Sequence, residues 1–336
     1  MVNKIMNKLL RKDGAFAIAI FKNETLNFNE FNEQNLIYKL PIKGLWKPKP
    51  LQFQADPFLF LKGEEVFLFY ELQHWDDPGC IAMMKTRDLK TWTKPKIVLK
   101  ETFHLSFPYV FEDQGSIYMI PEAQETDSIK LYKANNELTK FEYIRTLIHQ
   151  ERNNSIHYNF NDSHIFQKDG VYYLFTSYQK DWVYYQELFI SDNLLKGKFV
   201  KHPSSPICIS NEFGRNGGSL IKYGDKLLRV TQDCHKDYGN NVSLMEISVL
   251  NKKTYHEHLH LQNIFPRNSI FVDGGHQLSL LSFHGQYIYA TDYKINKWIW
   301  YKSYISILKK IEILKKHIAT KCQNWFLPIF QKVFST

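Results

Sequence analysis

Asp56, His104 with Ser106, Asp162 with His164, Arg215 and His276 each open an apolar run. Glu71, Glu122, Ser177, Asp233 and Asp292 each close the run that follows. Carboxylates, imidazoles and a guanidinium are the side chains that take, give and steer protons and hold anions. Polar groups at strand ends commonly do no more than satisfy loop backbone. Gathered at one place, however, these would lose hydration and repel one another, a cost that a purely structural repeat has no need to bear and an active site does.

The elements that would gather them are five hairpin-like segments: "ADPFLFLKGEEVFLFYE" (55–71), "HLSFPYVFEDQGSIYMIPEA" (104–123), "NDSHIFQKDGVYYLFTS" (161–177), "RNGGSLIKYGDKLLRVTQD" (215–233) and "GGHQLSLLSFHGQYIYATD" (274–292). Each has an apolar strand, a turn containing Gly63, Gly115, Gly170, Gly224 or Gly285, and a second strand rich in β-branched or aromatic residues. They recur about every fifty residues, and further strand-like runs such as "CIAMMKTRDLKTWTKPKIVL" follow each pair. Four strands per unit predict an all-β fold, a five-bladed β-propeller. In that fold the start of each inner strand shares a face with the end of its partner, so these polar residues meet at one mouth. The inner strands are expected to begin at 56, 106, 163, 217 and 276. "AFAIAI" or "LIYKLPIK", near the N-terminus, is expected to close the ring against the last blade.

At 336 residues, 44% hydrophobic and 15% aromatic, the chain can bury a sizeable core and does not have the composition of disorder. Cys80, Cys208, Cys234 and Cys322 lie far apart without a C-x-x-C, which suggests neither a disulfide framework nor a thiolate zinc site. Of the net charge of +9, residues 294–336 carry +8, nine Lys against Glu312. Basicity therefore belongs to the tail rather than to a nucleic-acid groove, and no nucleic-acid partner is expected. "AFAIAI" is too short for a signal-peptide core and no run of eighteen apolar residues occurs, so a cytoplasmic location without a spanning helix is expected. The domain reading is a propeller over 1–295 and a tail over 296–336. In the tail, Ile307, Ile311, Leu314 and Ile318 fall at helical spacing beside Lys309, Lys310, Lys315 and Lys316. That pattern predicts a basic amphipathic helix over 303–336, suited to an anionic membrane surface, here the inner face.

"ADPFLF", "HLSFPYVFE…YMIPEA", "GRNGGSLI…LLRVTQDCHKDYG" and "GGHQLSLLSFHGQYIYATDY" resemble, in order and over about residues 40–295, the family of the N-terminal domain of glucosamine inositolphosphorylceramide transferases and its stand-alone bacterial relatives. That family is similar to the five-bladed propeller of glycoside hydrolase family 43. The resemblance implies an inverting site with an Asp base on the first blade, matched by Asp56, and a second, tuning Asp, matched by Asp162. It also implies a Glu acid before Gly-Pro on a later blade. Here the chain departs: that stretch reads "NEFGRNGG", with Arg215, two glycines and an offset Glu212.

Inverting glycosidic chemistry needs a base on one face of the sugar and an acid on the other, whereas a phosphate-activated donor leaves as an anion and needs cations instead. The sequence therefore favours an inverting glycosyltransferase of bacterial cell-surface polysaccharide or glycolipid assembly. Its partners would be an activated sugar donor and a glycan or lipid-linked glycan acceptor, with no cofactor and no metal. Asp56, Asp162 and Glu122 are the catalytic candidates. His104, Ser106, His164, Arg215, Arg229, Gln232, Asp233, Tyr238 and His276 are the substrate-binding ones, with Arg215 and His276 expected to hold the donor's anion. Two alternatives remain. One is a family 43 type hydrolase using Asp56 with Glu122 or Glu212; the other is a non-catalytic carbohydrate-binding propeller stacking sugars on Tyr109, Tyr158, Tyr172, Tyr238 or Trp182. His256, His258 and His260 in "HEHLH" are read as solvated edge histidines.

Overall fold

The computed structural model describes residues 12–40, 51–74, 77–150 and 159–298, together with Ile311 and Lys315. Both of these last two are helical, but the tail helix expected over 303–336 otherwise lies outside the described residues, as does Tyr158. One compact unit comprises 16–43 and 51–295; the other, 1–15, 44–50 and 296–336, is largely undescribed.

Strands β1 (Lys12–Asn23) and β2 (Leu36–Lys39) precede the first hairpin, β3 (Leu51–Lys62) and β4 (Glu65–His74), which continues into β5 (Cys80–Thr86) and β6 (Lys96–Leu99). The second hairpin, β7 (Ser106–Asp113) and β8 (Ser116–Glu122), is followed by β9 (Ser128–Ala134) and β10 (Phe141–His149). The third, β11 (Asn161–Lys168) and β12 (Val171–Lys180), is followed by β13 (Val183–Ser191), β14 (Val200–Lys201) and β15 (Cys208–Ile209). In the fourth, β16 (Arg215–Asn216) and β17 (Ile221–Tyr223) both pair with β18 (Lys226–Asp233), before β19 (Asn241–Leu250) and β20 (Tyr255–Leu261). The fifth is β21 (Leu278–Phe283) and β22 (Gln286–Trp298). Apart from one 3-10 turn, Gln124–Thr126, the described part of this unit is strand and loop.

The second, third and fourth hairpins each begin a separate antiparallel sheet, and the first and fifth share an eight-stranded one ordered β21-β22-β1-β3-β4-β5-β6, with β2 beside β1. Its two halves meet at β1 and β3, where Phe16 pairs with Phe53 in parallel register. Of the two N-terminal segments singled out in the sequence, "AFAIAI", within β1, lies beside the last hairpin, and Leu36–Lys39 pairs with β1 instead.

The strands read as near-continuous apolar runs because both faces are buried. In β4, Val66, Leu68 and Tyr70 pack with Ile18, Ile20, Ile288 and Ala290, while Phe67 and Phe69 pack with Val110, Met119 and Tyr132. Ile120 and Leu131 continue to Ile165 and Leu174; Tyr173 and Phe175 to Ile247 and Tyr255; Leu228 and Val230 to Ala17, Ala19 and Tyr289. Each hairpin group shares a core with the next, and the fifth with the first. The hairpin turns carry Gly115, Gly170 and Gly285 at positive φ after Gln114, Asp169 and His284, also at positive φ, the paired left-handed turn that matches strand twist.

Candidate functional site

Three inner strands share a local irregularity that aims their first side chains. The β3–β4 register slips between Ala55 and Phe58, β7–β8 between Ser106 and Tyr109, and β11–β12 between Asn161 and His164. At each slip one residue is left-handed: Asp56 (φ 52), Phe107 (φ 43) and Asp162 (φ 48). A bulge of this kind removes a backbone amide from the ladder and re-aims a side chain. Each freed amide then donates to a carboxylate from another group. Asp56 N–H donates to Asp292 Oδ2 (3.1 Å), Phe107 N–H to Asp56 Oδ2 (3.1 Å) and Asp162 N–H to Glu122 Oε2 (3.1 Å). Asp292, Asp56 and Glu122 are therefore built into the joins between groups, and Asp56 and Glu122 also face the cavity.

These bulges border a cavity of about 250 Å³ lined by Asp56, Glu71, His104, Ser106, Glu122, Arg215, Tyr238 and His276, with Phe16 and Phe53 as apolar wall. His276 stands between two acids. Its Nδ1 is 2.9 Å from Asp292 Oδ2 and its Nε2 3.1 Å from Asp56 Oδ1, and Phe16 and Tyr238 cover the ring. Burial works against its charge, but Asp292 and Asp56 outweigh it and push the imidazole up to about 10. Burial would likewise raise Asp56. The His276 imidazolium, the Phe107 amide and Arg215 outweigh that and hold it below the usual carboxylate range. Asp56 is thus ionised while only 4% exposed, and its Oδ1 has no aligned hydrogen-bond donor.

Glu71 goes the other way. It is buried, its Oε1 also lacks an aligned donor, and burial together with the charge of Asp56 pushes its carboxyl well above the usual range. Two carboxyls in one cavity are thus pushed in opposite directions, the arrangement by which environment assigns acid and base roles.

Arg215 spends its donors inside the protein: Nε on Asp162 Oδ2 (2.5 Å), one terminal nitrogen on Tyr184 Oη (3.2 Å), and the other 3.6 Å from Glu122. The guanidinium also lies over the rings of Tyr184 and Tyr238. Gln232 adds a bond to Asp162 (3.2 Å), and Ser106 one to Glu122 (3.2 Å). Burial pushes Asp162 up, Arg215 pulls it down and Glu122 pushes it up again, so one cation serves two acids.

Seven of the twelve candidates from sequence line the cavity: Asp56, Glu122, His104, Ser106, Arg215, Tyr238 and His276. Asp162 and Gln232 lie behind Arg215. Three substrate-binding expectations require correction. His164 is fully buried against Phe175, with neither ring nitrogen hydrogen-bonded and its imidazole pushed down to about 3 by burial. Arg229 is fully buried in a two-pronged pair with Glu257 (2.6 and 2.8 Å) and is occupied as a core ion pair. Asp233 is taken up by Asn240 and the His235 amide, outside the cavity lining. The role of Arg215 and His276 as free cations for an anion changes as well, because both are already matched by carboxylates. Glu212 does not line the cavity either.

Glu71, which lines the cavity, and Asp292, which faces His276, are outside the set of twelve candidates drawn from sequence. Their signal was present, an acid ending the second strand of a repeat, but their value depends on the bulge amide and imidazole that only the fold brings to them. Asp56, His276 and Asp292 each offer one atom within 4.8 Å of the others, close enough for a cation. His276, however, directs both ring nitrogens at carboxylates, which is the pattern of an imidazolium; a metal ligand needs a free lone pair. On the surface, Glu246 Oε2 faces His260 Nδ1 (3.1 Å) and His258 Nε2 (3.7 Å), and is already held by Lys226 (2.7 Å).

The sequence profile of the family described as glucosamine inositolphosphorylceramide transferase 1, N-terminal, matches residues 46–268, which takes in the cavity residues from Asp56 to Tyr238. Glucosamine inositolphosphorylceramide transferase 1 of Arabidopsis thaliana is 33% identical over 216 residues, 62% of this chain and 27% of that protein. The protein of the same name from Oryza sativa subsp. japonica is 35% identical over 216 residues, 62% of this chain and 28% of that protein. The chain thus spans little more than a quarter of the length of these relatives. Among solved structures, Zg3597, a family 117 glycoside hydrolase produced by Zobellia galactanivorans, superposes with a TM-score of 0.52 at 12% identity, covering 71% of this chain and 84% of that one. A thermostable family 43 glycoside hydrolase gives 0.50 at 14% identity, covering 65% and 77%. At these identities the likeness is one of fold.

Proposed function

The chain belongs to the family of the glucosamine inositolphosphorylceramide transferase 1 N-terminal region, and from that premise we propose that it is a glycosyl-transferring module. It would move a sugar from a phosphate-activated donor to a glycolipid or glycan acceptor, as in bacterial cell-surface assembly. The observation that carries this reading is Asp56: a buried carboxylate kept ionised by His276 at the wall of a cavity large enough for one sugar unit. A base in that state can take the proton of an acceptor hydroxyl as its oxygen attacks the anomeric carbon from the face opposite the leaving group, inverting the centre. Ser106, Glu122 and the Arg215–Asp162 pair would meet sugar hydroxyls, and Tyr238 would cover a ring face. The five hairpin groups would be the five blades of a propeller, which the closed sequence of shared cores supports. Residues 303–336 would rest on the anionic inner face of a membrane, bringing the cavity to a lipid-linked acceptor.

Hydrolysis is the second reading. Glu71 favours it, since a neutral carboxyl beside an ionised one meets the acid and base requirements of glycoside cleavage. The test is mass spectrometry of reactions containing a panel of sugar phosphates and nucleotide sugars with a glycolipid acceptor. Transfer yields acceptor heavier by one sugar. Free sugar alone indicates hydrolysis, and binding without any product indicates a carbohydrate-binding module.

A further inference from the structure

We propose that Glu71 is the proton donor of this site, giving its carboxyl hydrogen to the oxygen that leaves the sugar, with His104 positioning it. The proposal rests on the reading of the cavity as a glycosyl-transfer centre.

Glu71 lies in β4 opposite Ala55, beside the bulge that aims Asp56. The nitrogen facing its Oε1 is His104 Nε2, at 3.4 Å. The backbone selects the His104 tautomer: Gly79 N–H donates to Nδ1 (3.0 Å), so the ring proton sits on Nε2, toward Glu71. Gly79 O in turn accepts from Leu105 N–H (3.0 Å). A Cβ at position 79 would lie 2.6 Å from His104 Cε1 and 2.7 Å from Leu105 O, so only glycine leaves room for the ring. This close fit has no counterpart in what a plain strand connection needs.

The chemistry of the cavity leaves Glu71 the part of donor. Among the described residues that line it, the cations are Arg215 and His276, and each is matched by two carboxylates. A departing oxygen therefore meets no uncommitted positive charge, and a neutral carboxyl is the group able to relieve it. The groups around Glu71 are Asp56 from β3, Glu122 from β8, Asp292 and His276 from the fifth group, and His104, with Cys80 on β5. Three of these are acids, and with burial they keep Glu71 protonated against His276. In the step, the acceptor oxygen bonds to the anomeric carbon and its proton passes to Asp56. The bond to the leaving oxygen breaks, its electron pair stays on that oxygen, and the Glu71 proton joins it. Solvent then returns a proton from Asp56 to Glu71.

The test compares wild type, Glu71→Gln and Asp56→Asn in the full chain on donors with leaving groups of graded acidity. Glu71→Gln should lose ~10²-fold or more on the least acidic leaving group and progressively less on the most acidic, whereas Asp56→Asn should lose on all alike. Equal losses across the series, or none, for Glu71→Gln overturn the proposal. The alkaline limb of the wild-type pH profile should report Glu71. His104→Ala, by admitting water to an acid that burial keeps neutral, should move that limb to lower pH; an unmoved limb removes the positioning role. If wild type turns over no donor, the transfer reading fails while Glu71 is still judged by its carboxyl ¹³C resonance, assigned by its loss in Glu71→Gln. A neutral carboxyl at pH 7 that shifts on adding a sugar 1-phosphate upholds the donor, and an ionised or unresponsive one overturns it.

Discussion

His276 is charged because it stands between Asp56 and Asp292, and that charge keeps Asp56 ionised despite its burial. Asp292 holds the arrangement from behind, accepting the amides of Asp56, His276 and Gln277 as well as facing the ring. Asp292→Asn should cost about 3–5 kcal/mol in urea unfolding, the range for removing one partner of a buried ion pair. The pH dependence has a definite sign. A histidine raised from 6.5 in the unfolded chain to about 10 in the fold contributes stability fully below 6.5 and loses it as pH rises through 10. Unfolding free energy measured from pH 6 to 10 should therefore fall more steeply in wild type than in His276→Gln; parallel curves would deny the imidazolium. Sequence reasoning found Asp56 and His276 but placed an anion on His276. The carboxylates that occupy it are distant in sequence, Asp292 lying 236 residues from Asp56, and nothing local announces the pairing.

At the scale of elements, the hairpins were readable because their signals are local: glycine at a left-handed turn and apolar strands either side. The bulges were not. A one-residue slip sends alternate side chains to opposite faces, so His164, two residues beyond Asp162, ends in the core against Phe175 instead of in the cavity. Gly217 and Gly218 are a further case. In the fold they let the fourth group touch the fifth: Leu278 N–H donates to Gly217 O (2.7 Å), and a Cβ on Gly218 would sit 2.2 Å from Leu278 O. Gly218 also has φ 155, which side chains rarely adopt. Gly218→Ala should therefore cost about 2 kcal/mol or more, from overpacking and strain together. Denaturant midpoints check this, and an unchanged midpoint would mean that the contact yields freely.

Across the whole molecule, the closed series of shared cores explains how polar residues from the first, second, fourth and fifth hairpin groups come to one cavity, with Asp162 of the third held behind Arg215, and the strongly basic tail is the part whose purpose the cavity does not supply. If the tail meets an anionic bilayer, each Lys near the surface contributes ~1 kcal/mol. Full-length protein should then float with vesicles containing anionic lipid at low salt, and Lys309→Glu, Lys310→Glu, Lys315→Glu and Lys316→Glu together should abolish flotation; equal flotation would reject the membrane role. The overall class was legible because composition and repeat are properties of the whole chain. The choice between transfer and hydrolysis was not, because it turns on whether an acceptor hydroxyl or water reaches the anomeric carbon, which no residue pattern states. The most direct measurement is mass spectrometry of a glycolipid acceptor incubated with the full chain and activated sugar donors, beside the folded Asp56→Asn variant. The account predicts an acceptor heavier by one sugar with wild type and at least ~10²-fold less with Asp56→Asn. Unaltered acceptor with free sugar released, or equal product from both proteins, would contradict it.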